Sequence, residues 1–155
     1  MKIEKIKASL QDLINRLQDA EKGYKEIRCA SSNIIVNKWL DKYAAERHSM
    51  HRVLEEEIKK LGGVPEVNST FLGELHRMFI DIKINHTTPS NEFTAIVDEI
   101  ERGSNTLLDD YQKVLDEVLM PPELFKIIKE QKALVQEELN DFITLKNELN
   151  NKITI

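Results

Sequence analysis

The sequence predicts an all-α protein, a four-helix bundle made of two antiparallel helical hairpins. Charged residues make up 32% of the 155 positions and aromatic residues only 6%, a profile that favours long helices over strands. Apolar residues recur three and four positions apart along four segments, which places them on one face of a helix. Cap residues, glycine and proline separate these segments. A chain of this length normally folds as one unit, so we expect a single domain over residues 1–155.

The first hairpin is predicted from residues 2–30 and 33–61. Ser31, Ser32 and Asn33 are typical helix caps, and so short a connection makes the two helices antiparallel neighbours. Gly62-Gly63 predicts the end of the second helix. In the first helix the spacing alternates between three and four over nearly four heptads, which is typical of a bundle seam. The heptad residues are Ile3, Ile6, Leu10, Leu13, Leu17, Ala20, Tyr24 and Ile27.

The second hairpin is predicted from residues 90–119 and 122–150. Pro89 suits the first turn of its first helix, and Met120-Pro121-Pro122 predicts the break between the two helices. The crossover between the hairpins, residues 62–88, carries an amphipathic stretch that predicts a short fifth helix over about 70–85. A simple up-and-down bundle does not need so long a connection. The ferritin-like arrangement, with one long crossover between two hairpins, fits better.

Three polar residues occupy positions where the helical pattern calls for an apolar side chain: Arg47, Ser104 and Glu138. Counting residues from the helix ends places them at one depth, if the crossover runs the length of the bundle. We therefore predict an interior ion pair between Arg47 and Glu138, with Ser104 as a hydrogen-bonding neighbour, because an unpaired buried charge is costly. The alternative is that helical drift places one of the two charged groups on the flank, in water.

The next layer of the second hairpin holds Tyr111 and Gln131. A phenol and an amide on facing helices can satisfy each other in a dry interior, so we predict a second buried hydrogen bond there.

Metal binding is the main alternative for the interior. Two-metal ferritin-like bundles use one glutamate from each of two helices and a Glu-x-x-His pair from each of the others. No glutamate in this sequence is followed three positions later by histidine, so we expect no cofactor. A reduced site for iron, manganese or zinc is the alternative. Its candidate ligands are Glu21, Glu46, Glu101, Glu138, His48 and His51.

His48 and His51 lie one helical turn apart and close to Glu55. With help from outside this pair, they could bind zinc. The other interpretation is two partly exposed imidazoles beside a charged helix face.

Several function classes find no support in the sequence. The net charge is −5 with mixed signs along every segment, so no basic stripe indicates nucleic-acid binding. No apolar run approaches the roughly 20 residues of a membrane span, and the charged first residues do not resemble a signal peptide. The single cysteine, Cys29, suits a reducing cytoplasm. No phosphate loop or nucleophile motif supports an enzyme class.

Several short motifs follow one another along the chain: Asp19-Ala20-Glu21-Lys22-Gly23-Tyr24, Leu61-Gly62-Gly63-Val64-Pro65, Leu75-His76-Arg77-Met78-Phe79 with Asp81 and Lys83, Glu99-Ile100-Glu101-Arg102-Gly103-Ser104 with Tyr111, and Gln131. In this order they resemble a family of small bacterial proteins of unknown function with ferritin-like four-helix bundles. The resemblance implies this fold and a bacterial cytoplasmic setting linked to stress physiology, and it implies no reaction. The sequence departs from the family pattern at Ser104, where the family usually has an acidic residue, and near Asn140, where a histidine is common.

The leading functional hypothesis is a non-enzymatic bundle that acts through its surface, either by forming a homo-oligomer or by binding another protein. Trp39 and Cys29, near the same end of the first hairpin, could supply apolar surface for such a contact. Packing in the core explains Trp39 about as well. The alternative is the reduced ferritin-like metal site described above.

Overall fold

In a computed structural model, all regular structure in the part of the chain that is described is helical. The structure describes the backbone of residues 2–66 and 89–153, and the side chains of residues 2–66 and 93–151. The four helices are α1 (Ile3–Ala30), α2 (Ile34–Lys60), α3 (Pro89–Glu117) and α4 (Pro122–Ile153). The predicted bounds of all four helices agree with these within three residues. The predicted fifth helix, over about 70–85, lies outside the described residues.

The chain divides into two compact units, Met1–Ile96 and Val97–Ile155. In the first unit α1 packs against α2. In the second unit hydrogen bonds between side chains join α3 to α4. Lys132 Nζ donates to Gln112 Oε1 over 2.6 Å, and Lys146 Nζ donates to Glu101 Oε1 over 3.1 Å.

The connection between α1 and α2 is as short as the sequence predicts, because Asn33, three residues after the end of α1, caps the start of α2. The side chain of Asn33 accepts hydrogen bonds from the backbone N–H groups of Ile35 and Val36, at 3.0 and 3.1 Å. These two N–H groups would otherwise have no partner in the first turn of α2.

The predicted stop at Gly62-Gly63 is confirmed. Gly62 has φ +81°, a conformation that costs a glycine little and other residues more. The N–H of Gly63 donates to the carbonyl of Ile58, and that of Gly62 to the carbonyl of Lys59, both over 3.0 Å. This is the Schellman arrangement, in which the last carbonyl groups of a helix are satisfied by the chain that leaves it.

The predicted apolar stripes form most of the core, with two differences in α1. Two heptad residues are not buried: Ile3 is 51% exposed at the helix end, and Ala20 is half-buried. The buried face of α1 is also wider than the heptad, and it takes in polar residues, because a 3.6-residue helix drifts relative to a 3.5-residue repeat. The additional buried residues are Ile14, Gln18, Asp19, Glu21 and Gly23.

None of the described helices is long and apolar enough to cross a membrane.

Candidate metal centre

The candidate metal centre lies between α1 and α2, inside the first compact unit. His48 and His51 are separated by three positions on α2, which places both imidazoles on one face of the helix. Glu21 belongs to the buried face of α1 that packs against α2. The antiparallel hairpin therefore brings one carboxylate from α1 to two imidazoles from α2.

The three side chains meet at the Glu21 carboxylate. Glu21 Oε1 lies 2.8 Å from His51 Nε2 and 3.1 Å from His48 Nδ1, and Glu21 Oε2 lies 3.2 Å from His48 Nδ1. The two imidazole rings stand edge to face, with centroids 4.9 Å apart. Among the described residues this is the one group of three histidine, cysteine or acidic side chains whose ligand atoms all lie within 4.8 Å of one another.

The two histidines differ in their surroundings. The side chain of His51 is 7% exposed, and its second ring nitrogen, Nδ1, lies 3.4 Å from Glu55 Oε2. Arg52 Nη1 lies 3.5 Å from the same oxygen of Glu55. The side chain of His48 is 55% exposed, so solvent reaches one side of the group.

The carboxylate of Glu21 is held in its charged form. Burial alone would raise the pKa of Glu21. Its hydrogen bonds with Lys25, His51 and His48 lower the pKa by more than burial raises it, so the pKa is about 2. The ammonium group of Lys25 lies 2.6 Å from Oε2, which leaves Oε1 facing the imidazoles. At neutral pH Glu21 is therefore a charged oxygen donor.

This donor set fits a divalent transition metal. Two imidazoles and one carboxylate are the protein ligands of several zinc and non-haem iron(II) sites. Zinc binds such donors at about 2.0–2.2 Å, so donors around a tetrahedral ion lie about 3.3–3.5 Å apart. The distances of 2.8 and 3.1 Å from Glu21 Oε1 to the two imidazoles are slightly shorter. A small outward movement of the side chains would accommodate an ion.

The other predicted ligands do not belong to this group. Glu46 is half-buried on α2, and Glu138 is 3% exposed on α4. Glu101 on α3 accepts a hydrogen bond from Lys146. Glu21, His48 and His51 are all candidate ligands from the sequence, but their positions in the chain do not predict that they meet. The contact between Lys25 and Glu21 was not predicted.

The predicted polar layer consists of buried residues. Arg47 is 0% exposed, and its guanidinium group lies 5.4 Å from the ring centre of Tyr43. Arg47 Nη1 lies 3.6 Å from the sulfur of Met50. Ser104 and Glu138 are 2% and 3% exposed. The alternative of a charged group on a wet flank is therefore wrong for both Arg47 and Glu138, and their ion pair stays a prediction.

The structure contains the hydrogen bond expected in the next layer. Tyr111 Oη donates to Gln131 Oε1 over 2.6 Å, and both residues are buried. This bond joins α3 to α4 and gives each polar side chain a partner inside the second unit.

Comparison with known proteins places the chain in a family. The family model described as "Domain of unknown function (DUF2383)" matches residues 5–117, well over half of the chain. The chain belongs to the DUF2383 family. The resemblance stated from the sequence motifs, to a domain-of-unknown-function family of ferritin-like bundles, is thereby confirmed. No curated protein matches this DUF2383 chain.

A solved structure shows the fold. The DUF2383 chain is similar to the bacterioferritin-related protein from Bacteroides fragilis, described as a dodecameric thioferritin, with a TM-score of 0.68 and 17% sequence identity. The similarity covers 98% of this chain and 92% of the other. Sequence identity this low carries information about the fold alone. The predicted all-α, ferritin-like four-helix bundle is confirmed.

Proposed function

We propose that this DUF2383 chain binds one divalent transition-metal ion through Glu21 Oε1, His48 Nδ1 and His51 Nε2. The observation that carries the proposal is the position of Glu21 Oε1, which lies 2.8 Å from His51 Nε2 and 3.1 Å from His48 Nδ1. The three donor atoms, two nitrogens and one oxygen from two helices, all lie within 4.8 Å of one another.

The chemistry of the donors limits which ions the site accepts. Imidazole binds zinc and iron well, whereas magnesium and calcium prefer oxygen ligands alone. We therefore expect zinc or iron(II) to bind more tightly than manganese, and magnesium and calcium to bind weakly. Three protein ligands leave coordination positions for water, which can reach the site beside His48, whose side chain is 55% exposed.

Titration with zinc tests the proposal. The protein is prepared without a histidine tag, treated with a chelator, and titrated with zinc in competition with a chromophoric chelator. The wild type should bind one zinc ion per chain. His51→Ala and Glu21→Gln should each lose tight binding, since each removes a ligand. Glu46→Gln is the matched control, because it removes a carboxylate that lies outside the group but on the same hairpin.

Two results would contradict the proposal. One is a wild-type protein that does not bind zinc stoichiometrically. The other is equal loss of binding in the Glu46→Gln control and in the two ligand variants, which would place the ion elsewhere or indicate misfolding. Circular dichroism of each metal-free variant separates these last two possibilities.

Self-association is a second candidate function, supported by apolar side chains on the surface. Ile34 and Ile35, at the start of α2, are 74% and 43% exposed, and Leu119, after α3, is 80% exposed. Cys29 is also exposed near the start of α2, whereas Trp39 is half-buried and packs edge-on against Tyr43. The structurally similar protein from Bacteroides fragilis is described as a dodecamer. As expected from the sequence, we propose a cytoplasmic location for the protein.

Sedimentation velocity tests self-association. The wild type should form a discrete oligomer. Ile34→Glu should shift the population toward monomer, because burying the charged side chain in an apolar contact would remove it from water at a cost in free energy. A wild-type protein that remains monomeric at the highest concentration it tolerates would exclude this candidate.

A further inference from the structure

His51 lies between two carboxylates, one on each side of its ring. Its Nε2 lies 2.8 Å from Glu21 Oε1 on α1, and its Nδ1 lies 3.4 Å from Glu55 Oε2, one turn further along α2. The side chains of His51 and Glu55 are 7% and 6% exposed. Of the two carboxylates, only Glu21 belongs to the group that can share a metal ion with both imidazoles.

The chemistry of imidazole gives the two sides of this ring different tasks. A neutral imidazole has one nitrogen with a free lone pair and one that carries hydrogen. A metal ion needs the lone pair, so the hydrogen must lie on the opposite nitrogen. A buried N–H needs an acceptor, and a carboxylate in that place fixes both the tautomer and the orientation of the ring.

We propose that Glu55 is a positioning residue of the metal centre, which accepts the Nδ1–H of His51 and thereby directs Nε2 toward the ion. This inference rests on the proposed metal-binding function. Glu55 reaches the ion only through His51, because its oxygen faces the nitrogen on the far side of the ring. Arg52 Nη1, 3.5 Å from the same oxygen, helps to keep the Glu55 carboxylate in place.

The acidic groups around His51 support the same assignment. The buried carboxylates of Glu21 and Glu55 flank its ring, and negative charge beside the site favours a bound cation. Lys25, the cation beside Glu21, has a side chain that is 63% exposed, so it can move into solvent when an ion binds. His48 is more exposed than His51, so its ring orientation depends less on the protein.

Substitution of Glu55 tests the inference by a change in zinc affinity. Glu55→Gln keeps an oxygen acceptor but removes the charge, and Glu55→Met removes both. We expect zinc affinity to fall roughly 10- to 100-fold, in the order wild type, Glu55→Gln, Glu55→Met, as is typical when a partner of a metal-binding histidine is lost. Glu56→Gln is the matched control, because Glu56 is the next residue, is exposed and faces Lys59. It should bind zinc as the wild type does.

The spectrum of bound cobalt(II) separates a positioning residue from a ligand. If Glu55 only positions His51, the variants should bind cobalt with an unchanged absorption spectrum. An altered spectrum in Glu55→Gln would make Glu55 a ligand and overturn the inference. Wild-type zinc affinity in both Glu55 variants would overturn it as well.

An NMR measurement on the wild-type protein tests the same inference and does not depend on whether a variant folds. With zinc bound and histidines labelled with ¹⁵N, NMR should show His51 bound through Nε2 and protonated at Nδ1. Binding through Nδ1 would contradict the assignment of Glu55 while leaving the metal function intact. A wild type that binds no zinc is instead the failure of the proposed function itself.

Discussion

Arg47→Met should lower the free energy of unfolding by about 3–5 kcal/mol, measured by urea denaturation at 25 °C. Arg47 is the largest of the fully buried side chains among the described residues. We predict that its ion-pair partner is Glu138, which is also buried. Removing the guanidinium group alone would leave a buried carboxylate without its counter-charge, and the desolvation of that carboxylate would no longer be offset.

The double variant Arg47→Met, Glu138→Leu distinguishes an ion pair from simple loss of packing. If the two side chains pair, replacing both with apolar residues should restore most of the lost stability or exceed that of the wild type. Arg28→Met is the control for loss of an arginine, because Arg28 forms a partly exposed ion pair with Asp41 at 3.2 Å. It should cost less than about 1 kcal/mol. An unchanged unfolding midpoint in Arg47→Met would exclude the pair.

Zinc should raise the melting temperature of the wild-type protein by about 5–10 °C at a free concentration of one hundred times Kd. Binding to the folded state alone contributes about 2.7 kcal/mol at that concentration. For a chain of this size, 1 kcal/mol shifts the melting temperature by roughly 2–4 °C. Differential scanning calorimetry with and without zinc measures the shift.

Two variants test whether this shift in melting temperature comes from zinc bound at the proposed site. His51→Ala should show no shift, because it lacks the most buried of the proposed nitrogen ligands. Glu46→Gln should shift as the wild type does, and excess chelator should reverse the effect in both proteins that bind. An equal shift in His51→Ala and in the wild type would mean that zinc stabilises the protein at another place.

Helices and caps followed from the sequence because their causes are local. The N-cap bonds of Asn33 join residues at most three positions apart, and the Schellman bonds at Gly62-Gly63 join residues at most five apart. The periodicity of apolar residues also placed most of the core. It even placed Arg47, Ser104 and Glu138 in the interior, where all three are buried, because their positions in the helical repeat point inward.

The metal centre could not be predicted from the sequence because it depends on the register between α1 and α2. Counting equally from residue 32, the middle of the connection, would place Val36 opposite Arg28. In the structure the partner of Arg28 is Asp41. The same displacement of five residues places Glu21 opposite His48 instead of Tyr43, and His51 lies about one turn further along α2. Spacing along one helix identified the two histidines, but the third donor came from another helix.

The sequence by itself determined which segments are helical, where they begin and end, and that Arg47, Ser104 and Glu138 enter the interior. These properties depend on hydrogen bonds and periodicity within a few neighbouring residues. Only the tertiary structure decided that Glu21 meets His48 and His51 and that Glu55 lies behind His51. The physical reason is that the register of two packed helices is set by how their side chains interdigitate along the whole contact, and no local pattern encodes that register.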